Sequence, residues 1–179
     1  MALRVLTGQA VETDELPLAE LAARMRMPDG WATVPDLLIR LETRLRAALA
    51  ATERRTGQVL IRRMLVLIGE GNESTSVSLG VAPVDTLISV EVDRGRGLTP
   101  LQGAELRSGR IHLPGPLSAG SDLRATVEAG YGTWADVPPD LADIVLLIAE
   151  RGEGGDPGLD PVIAQALAPF LPRRLGRSA

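Results

Sequence analysis

Side chains suited to nucleophilic or metal chemistry are scarce in this chain. It has one histidine, His112, and no cysteine. A catalytic triad needs a histidine beside a nucleophile, and a histidine-based metal site needs more than one imidazole. His112 lies in the segment Arg-Ile-His-Leu, whose apolar residues alternate as they do in a strand. We therefore predict an ordinary strand residue at this position, and neither a metal nor a cofactor.

Carboxylates are the remaining candidates for acid–base chemistry. They fall into two groups: Glu12, Asp14 and Glu15, then Asp136, Asp140 and Asp143. A pair of carboxylates is sufficient for some hydrolases, so the residues alone leave a small carboxylate-dependent enzyme open. Both groups lie near predicted helix starts, where the helix dipole favours negative charge. This structural interpretation is the favoured one, and we predict that the protein is not an enzyme.

Two glycine-rich segments superficially resemble phosphate-binding loops. They are Gly69-Glu70-Gly71-Asn72 and Arg94-Gly95-Arg96-Gly97. Neither has the Gly-Lys-Ser/Thr ending or the G-x-G-x-x-G spacing, and neither clearly opens a helix. We interpret both segments as turns between strands.

Arginine pairs occur at Arg54 and Arg55 and again at Arg62 and Arg63. Such pairs could contact a nucleic-acid backbone without reading its sequence. They could equally be solvated or bind the carboxylates of a neighbouring subunit. The formal net charge of −4 argues against a protein whose main task is nucleic-acid binding.

Two helices are predicted in the N-terminal third of the chain. The first covers residues 17–27, where apolar side chains recur at helical spacing. Thr33 is predicted to cap the second helix, with Asp36 in capping-box position, and Gly57 is predicted as its left-handed C-cap.

A third helix is predicted to start at Pro138 and Pro139 and to end at Gly152. Tyr131 and Trp134 lie in the turn before it. Large aromatic side chains at such a position either close the core or anchor an interface with another subunit.

The middle of the chain has the texture of a small sheet, which we expect to be antiparallel. Its β-branched and apolar runs are broken by glycine, asparagine and proline and cover residues 58–68, 75–79, 87–92, 110–113 and 123–129. Apolar runs are too short to span a membrane, so we expect no membrane association.

The C-terminal region has the composition of a linker followed by an arm. Glycine, aspartate and proline dominate residues 152–161, and a short helical pattern follows at residues 162–171. The residues that suggest binding to a partner are Leu167, Phe170, Leu171, Arg173 and Arg174. Packing of this segment on its own chain is the alternative.

The predicted fold class is α+β. It combines a small, mostly helical domain, with two N-terminal helices and a proline-initiated third helix, a short-stranded antiparallel sheet and a C-terminal arm. We predict a core domain at residues 1–152 and a linker with the arm at residues 153–179.

This order of elements resembles the head-tail connector family of long-tailed phages and gene transfer agents. The segments that carry the resemblance are LPLAEL at 16–21, the helix end ERRTG at 53–57, AGYG at 129–132 and ADVPPDL at 135–141. The resemblance covers residues 16–150.

The resemblance implies a structural adaptor at the neck of a virion or phage-like particle, assembled in the bacterial cytoplasm. Its copies would form a ring, most simply a dodecamer, between the portal protein and a tail or stopper protein. DNA would pass transiently through the central channel. The arm would then bind the portal, the turn aromatics could lie at the subunit interface, and the two arginine pairs could face the channel. A carboxylate-dependent enzyme and a generic intracellular binding module remain the alternatives.

Overall fold

The computed structural model describes residues 2–152 and 160–171. The chain divides into two compact units: the first comprises Met1–Val11 and Ile61–Tyr131, and the second comprises Glu12–Leu60 and Gly132–Ala179. Each unit is therefore assembled from two separate stretches of sequence. Within the described residues, no helix is both long and apolar enough to cross a membrane.

The first unit contains a five-stranded antiparallel sheet with the order β1-β2-β8-β4-β5. Its strands are β1 (Arg4–Gly8), β2 (Arg63–Glu70), β4 (Val84–Asp93), β5 (Leu98–Pro100) and β8 (Asp122–Ala129). The central strand β8 alternates buried and half-buried residues, as its sequence predicts. Beside it, Leu65 and Leu67 of β2 pair with Val127 and Ala125. These four buried side chains lie on one face of the sheet and form part of its core.

A second, three-stranded antiparallel sheet belongs to the same unit. Its order is β3-β7-β6, with β3 (Ser76–Ser78), β6 (Glu105–Arg107) and β7 (Arg110–His112). Ile111 at its centre pairs with Val77 and Leu106 and is fully buried. The sequence predicted one sheet, whereas the strands divide between two. Each strand of the smaller sheet is only three residues long, which is too short for periodicity to show its partners.

The second unit is helical. Its helices are α1 (Leu18–Arg24), α2 (Pro35–Thr56), α3 (Pro139–Arg151) and α4 (Pro161–Leu167). Leu21 of α1, Leu41 and Leu45 of α2, and Leu141 and Val145 of α3 are almost completely buried. The α+β class and the three predicted helices are confirmed.

The ends of α2 and α3 follow the predicted glycine and proline positions. Gly57 and Gly152 are the C-caps, with left-handed φ values of 67° and 68°. The predicted N-cap of α2 is wrong, because Val34 occupies it and the Thr33 hydroxyl donates to the Gly30 carbonyl at 2.7 Å. The residue before a proline is held in an extended conformation, so the helix starts after Val34 and not after Thr33.

Candidate interaction surfaces

The turn between β8 and α3 is fixed by a close approach of two backbones. Gly130 is buried and has φ 128°, and a Cβ built there would lie 2.5 Å from the Cα of Arg62. Its N–H donates to the Pro83 carbonyl at 3.0 Å. Only glycine combines this φ with this approach. The end of β8 is therefore held close to the backbone of Arg62 and Pro83.

Tyr131 and Trp134 are both half-buried. Burial raises the pKa of the Tyr131 phenol above its usual value. The indole N–H of Trp134 donates to the two carboxylate oxygens of Glu20 in α1, at 3.1 and 3.0 Å. Tyr131 ends the first unit and Trp134 lies in the second. The predicted role of the two aromatics at a subunit interface stays a prediction.

The acidic residues at the start of α3 have separate structural tasks. Asp136 accepts hydrogen bonds from the backbone N–H and the hydroxyl of Thr133, at 2.9 and 2.8 Å, and closes a capping box. Asp140 is exposed in the first turn of α3, and Asp143 pairs with Arg24 at 3.3 Å.

The N-terminal acidic group also includes a helix cap. Glu12 and Glu15 form a capping box around the 3-10 turn Thr13–Glu15. Among the described residues, no group of three histidine, cysteine, aspartate or glutamate side chains could hold a metal ion. His112 is an exposed residue of β7, as predicted.

The Arg94–Gly97 segment is a turn between strands, as predicted, whereas Gly69 and Glu70 are the last two residues of β2 and only Gly71 and Asn72 lie beyond that strand. The segment from Arg94 to Gly97 connects β4 to β5, and Asp93 accepts hydrogen bonds from the N–H groups of Gly95, Arg96 and Gly97, at 2.7, 3.1 and 3.0 Å. The anion that this turn holds is thus the chain's own carboxylate. Gly71 follows β2, and its N–H donates to the Ser121 carbonyl at 2.7 Å.

The four predicted channel arginines belong to different units. Arg54 is exposed and Arg55 half-buried in the last turn of α2. Arg62 is exposed, 4.0 Å from the Asp85 carboxylate, and Arg63 donates to the Ile61 carbonyl at 2.9 Å. Their orientation toward a channel stays a prediction.

The described part of the predicted arm packs within the second unit. Ile163 and Leu167 of α4 are only 4% and 1% exposed, and α4 contacts α3. Phe170 is half-buried and Leu171 is exposed. Arg173 and Arg174 lie outside the described residues. The division between core and arm, and the binding of the arm to a portal, stay predictions.

Two exposed arginines in the β4–β5 turn are not among the sites predicted from the sequence. Arg94 and Arg96 are exposed, and neither forms an ion pair with any residue in the described ranges. The spacing of this segment excludes a phosphate-binding loop, and no other binding role was predicted for its arginines. The available signal was the placement of two long cations in a tight turn, where side chains point away from the sheet.

Comparison with known proteins identifies particle components with the same fold. No family model matches this chain, and no curated protein does. A chain in the neck of an empty gene transfer agent particle, computed with C6 symmetry, is 29% identical, with a TM-score of 0.79 and coverage of 99% of both chains. A chain of the virion of a native gene transfer agent particle is 28% identical with a TM-score of 0.76, at the same coverage. A chain in the neck of a native particle, computed with C12 symmetry, is 26% identical with a TM-score of 0.72, again over 99% of both chains. These similarities confirm the resemblance to the head-tail connector family.

Proposed function

We propose that this protein is a head-tail adaptor subunit that forms a ring between the portal and the tail of a phage or phage-like particle. The observation that carries the proposal is its similarity, over 99% of both chains, to neck chains of gene transfer agent particles. The similarity is therefore not confined to one short module within the two chains. The C6 and C12 symmetries of those necks support self-association of identical copies.

A structural role also agrees with how the candidate catalytic groups are used. Asp136 and Glu15 complete capping boxes, and Asp143 pairs with Arg24. A catalytic carboxylate needs to face a substrate with a pKa suited to proton transfer, whereas these carboxylates are committed to backbone and guanidinium groups. The similar proteins are components of particles, which supports a noncatalytic function.

The ring would need two different surfaces on each copy, because a cyclic assembly of more than two subunits is built from heterologous contacts. The Trp134 region is one candidate surface, since its half-buried indole is held by Glu20 in a defined position. Twelve copies would match the C12 symmetry of one of the similar necks.

The proposed channel would carry DNA without reading its sequence. Passage requires weak contacts with phosphates, because strong neutralisation would retain the DNA. A few arginines among many carboxylates meet this requirement, and Arg54 and Arg62 are exposed. Arg55 and Arg63, which have hydrogen-bonding or charged partners within the chain, would contribute less.

The ring's remaining contacts would be with the portal on one side and a tail or stopper protein on the other. The proposed portal contact is the C-terminal arm, through Leu171 and the arginines Arg173 and Arg174. Assembly would take place in the bacterial cytoplasm, and the finished ring would reside in the particle neck.

Electron microscopy of particles from a producer strain tests the proposal. The gene is deleted and then restored in trans, with the capsid protein quantified to exclude an effect on neighbouring genes. We expect heads without tails after deletion and tailed particles after restoration. Tailed particles in normal numbers from the deletion strain would refute the adaptor function.

A further inference from the structure

The turn between β4 and β5 is held by hydrogen bonds to Asp93 and faces open space. We call Arg94, Gly95, Arg96, Gly97 and Leu98 the hairpin tip. The Asp93 carboxylate ties three successive N–H groups of the tip together, at 2.7 to 3.1 Å. Gly95 and Gly97 have φ values of 82° and 89°, and a Cβ at either position would meet no atom within 4 Å. The backbone of the tip is therefore tied to Asp93, and open space surrounds both of its glycines.

The side chains of the hairpin tip have the character of a binding surface. Arg94 and Arg96 are exposed and have no ion-pair partner among residues 2–152 and 160–171. Leu98 is 38% exposed. The backbone that carries these two cations and one apolar side chain is already held by hydrogen bonds, so ordering that backbone adds little to the cost of binding.

The second unit contains a groove with the opposite character. It has a volume of about 380 Å³ and lies between α3 and the segment that contains α4. Ile144, Leu147 and Phe170 supply apolar lining, and Asp140 and Asp143 supply carboxylates. We call this the α3–α4 groove.

The carboxylates of the groove are accessible to a partner. Asp140 is exposed and forms no ion pair with a described residue. Asp143 pairs with Arg24, but its side chain is still 77% exposed. A guanidinium group entering the groove would thus find one uncommitted carboxylate and a second that solvent still reaches. Arg24, which also lines the groove, neutralises only part of this charge.

We propose that the hairpin tip of one copy docks in the α3–α4 groove of the next copy. The inference rests on the proposed ring and identifies its subunit contact. Arg94 and Arg96 would meet Asp140 and Asp143, and Leu98 would cover the apolar lining. The two surfaces are different parts of the chain, so the contact is heterologous and can repeat from copy to copy around a ring.

The size and charge of the α3–α4 groove favour the hairpin tip over other occupants. Clefts of roughly 300–1,000 Å³ hold groups the size of a small ligand, so the groove has room for a few side chains and not for a whole helix. DNA is disfavoured as the groove's occupant because Asp140 and Asp143 would repel its phosphates. The hairpin tip alone could still reach DNA, which the experiment must separate from contact between copies.

Site-specific cross-linking tests the contact in assembled particles. The natural chain has no cysteine, so single substitutions give unique thiols. One tagged copy carries Arg96→Cys and a second, differently tagged copy carries Asp140→Cys, and both are produced together in the deletion strain. A short bis-maleimide is added to purified particles. Because each copy has one thiol, any product with both tags joins two chains.

We expect a covalent dimer that carries both tags. The matched control pairs the Arg96→Cys copy with an Arg40→Cys copy, whose substituted residue is exposed on α2 in the same unit as the groove. This control should give no such dimer. Absence of the dimer from tailed particles that contain both copies would overturn the docking proposal and leave the adaptor function intact. Particles that lack the protein altogether would overturn both.

Charge reversal supplies an independent measurement. The double substitution Arg94→Glu and Arg96→Glu should abolish tail attachment. Adding Asp140→Arg to the same chain should restore part of the attachment. The control substitution Arg40→Glu should leave tail attachment unchanged. Thermal unfolding of each purified variant checks that the fold is retained. A loss that Asp140→Arg does not relieve, together with weaker retention of packaged DNA, would assign the tip to DNA and overturn the contact between copies.

Discussion

At the scale of single residues, Gly130 is the position where the chain after β8 passes closest to the backbone of Arg62. A Cβ at this position would lie 2.5 and 2.6 Å from the Cα and N of Arg62, which are backbone atoms and cannot rotate away. Its φ of 128° is also in the region that side chains rarely adopt. The turn thus combines a steric and a conformational requirement for glycine.

We predict that Gly130→Ala destabilises the protein well beyond the cost of its φ alone. Strain at such a φ costs about 1–3 kcal/mol, and overpacking adds about 1–3 kcal/mol. Gly120 is a suitable control, because its φ is 82° and a Cβ there would meet no atom within 4 Å. Urea unfolding should show a lower free energy of unfolding for Gly130→Ala than for Gly120→Ala. Equal losses would mean that the backbone of Arg62 moves aside at little cost.

Residue patterns predicted some local structure and missed other parts for physical reasons. Gly57 and Gly152 were identified as C-caps because few residues other than glycine tolerate a left-handed φ. The prediction of Thr33 as the N-cap is wrong because its hydroxyl donates to the Gly30 carbonyl in the preceding turn, an alternative that threonine offers at many positions. A cap sequence therefore indicates a helix start only to within a residue or two.

At the scale of elements, strand prediction succeeded where one face is buried. The alternation in β8 predicts that strand, whereas β1 has five exposed residues and therefore no burial pattern that could predict it. β1 is ordered by pairing with β2, from Arg4 opposite Ile68 to Gly8 opposite Leu65. An edge strand of this kind depends on backbone hydrogen bonds with a distant segment, which no local pattern encodes.

The helix α4 offers a test of whether the described part of the predicted arm is docked in the isolated subunit. Leu167 is 1% exposed, whereas Val162 in the same helix is 57% exposed. We predict that Leu167→Ala lowers the free energy of unfolding by about 2 kcal/mol or more, because it leaves a cavity. Val162→Ala should change it by less than about 0.5 kcal/mol. Urea unfolding and amide exchange in α4 provide the measurements, and similar values for the two variants would contradict docking of α4.

At the scale of the whole molecule, sequence order and compact units do not coincide. The second unit joins Glu12–Leu60 to residues after Tyr131, and the first unit joins Met1–Val11 to Ile61–Tyr131. Residue patterns reveal elements but not which distant elements share a core, so the two compact units are not evident from the sequence. For the same reason, the sequence alone does not suggest that the hairpin tip docks in the α3–α4 groove. Each of these surfaces forms only when its unit is folded.

Truncation after Leu171 separates the fold from the proposed portal contact. Removing residues 172–179 deletes Arg173 and Arg174 and spares the buried Ile163 and Leu167 of α4. We therefore expect an unchanged Tm in the purified protein but heads without tails in a deletion strain that produces the truncated chain. A full-length variant with glutamine in place of Arg173, Arg174 and Arg177 distinguishes lost charge from lost length, because guanidinium groups are suited to binding carboxylates on a partner surface. Normal tail attachment by the truncated chain would exclude residues 172–179, with Arg173 and Arg174, from the portal contact, and Leu171 or another exposed surface would then have to bind the portal.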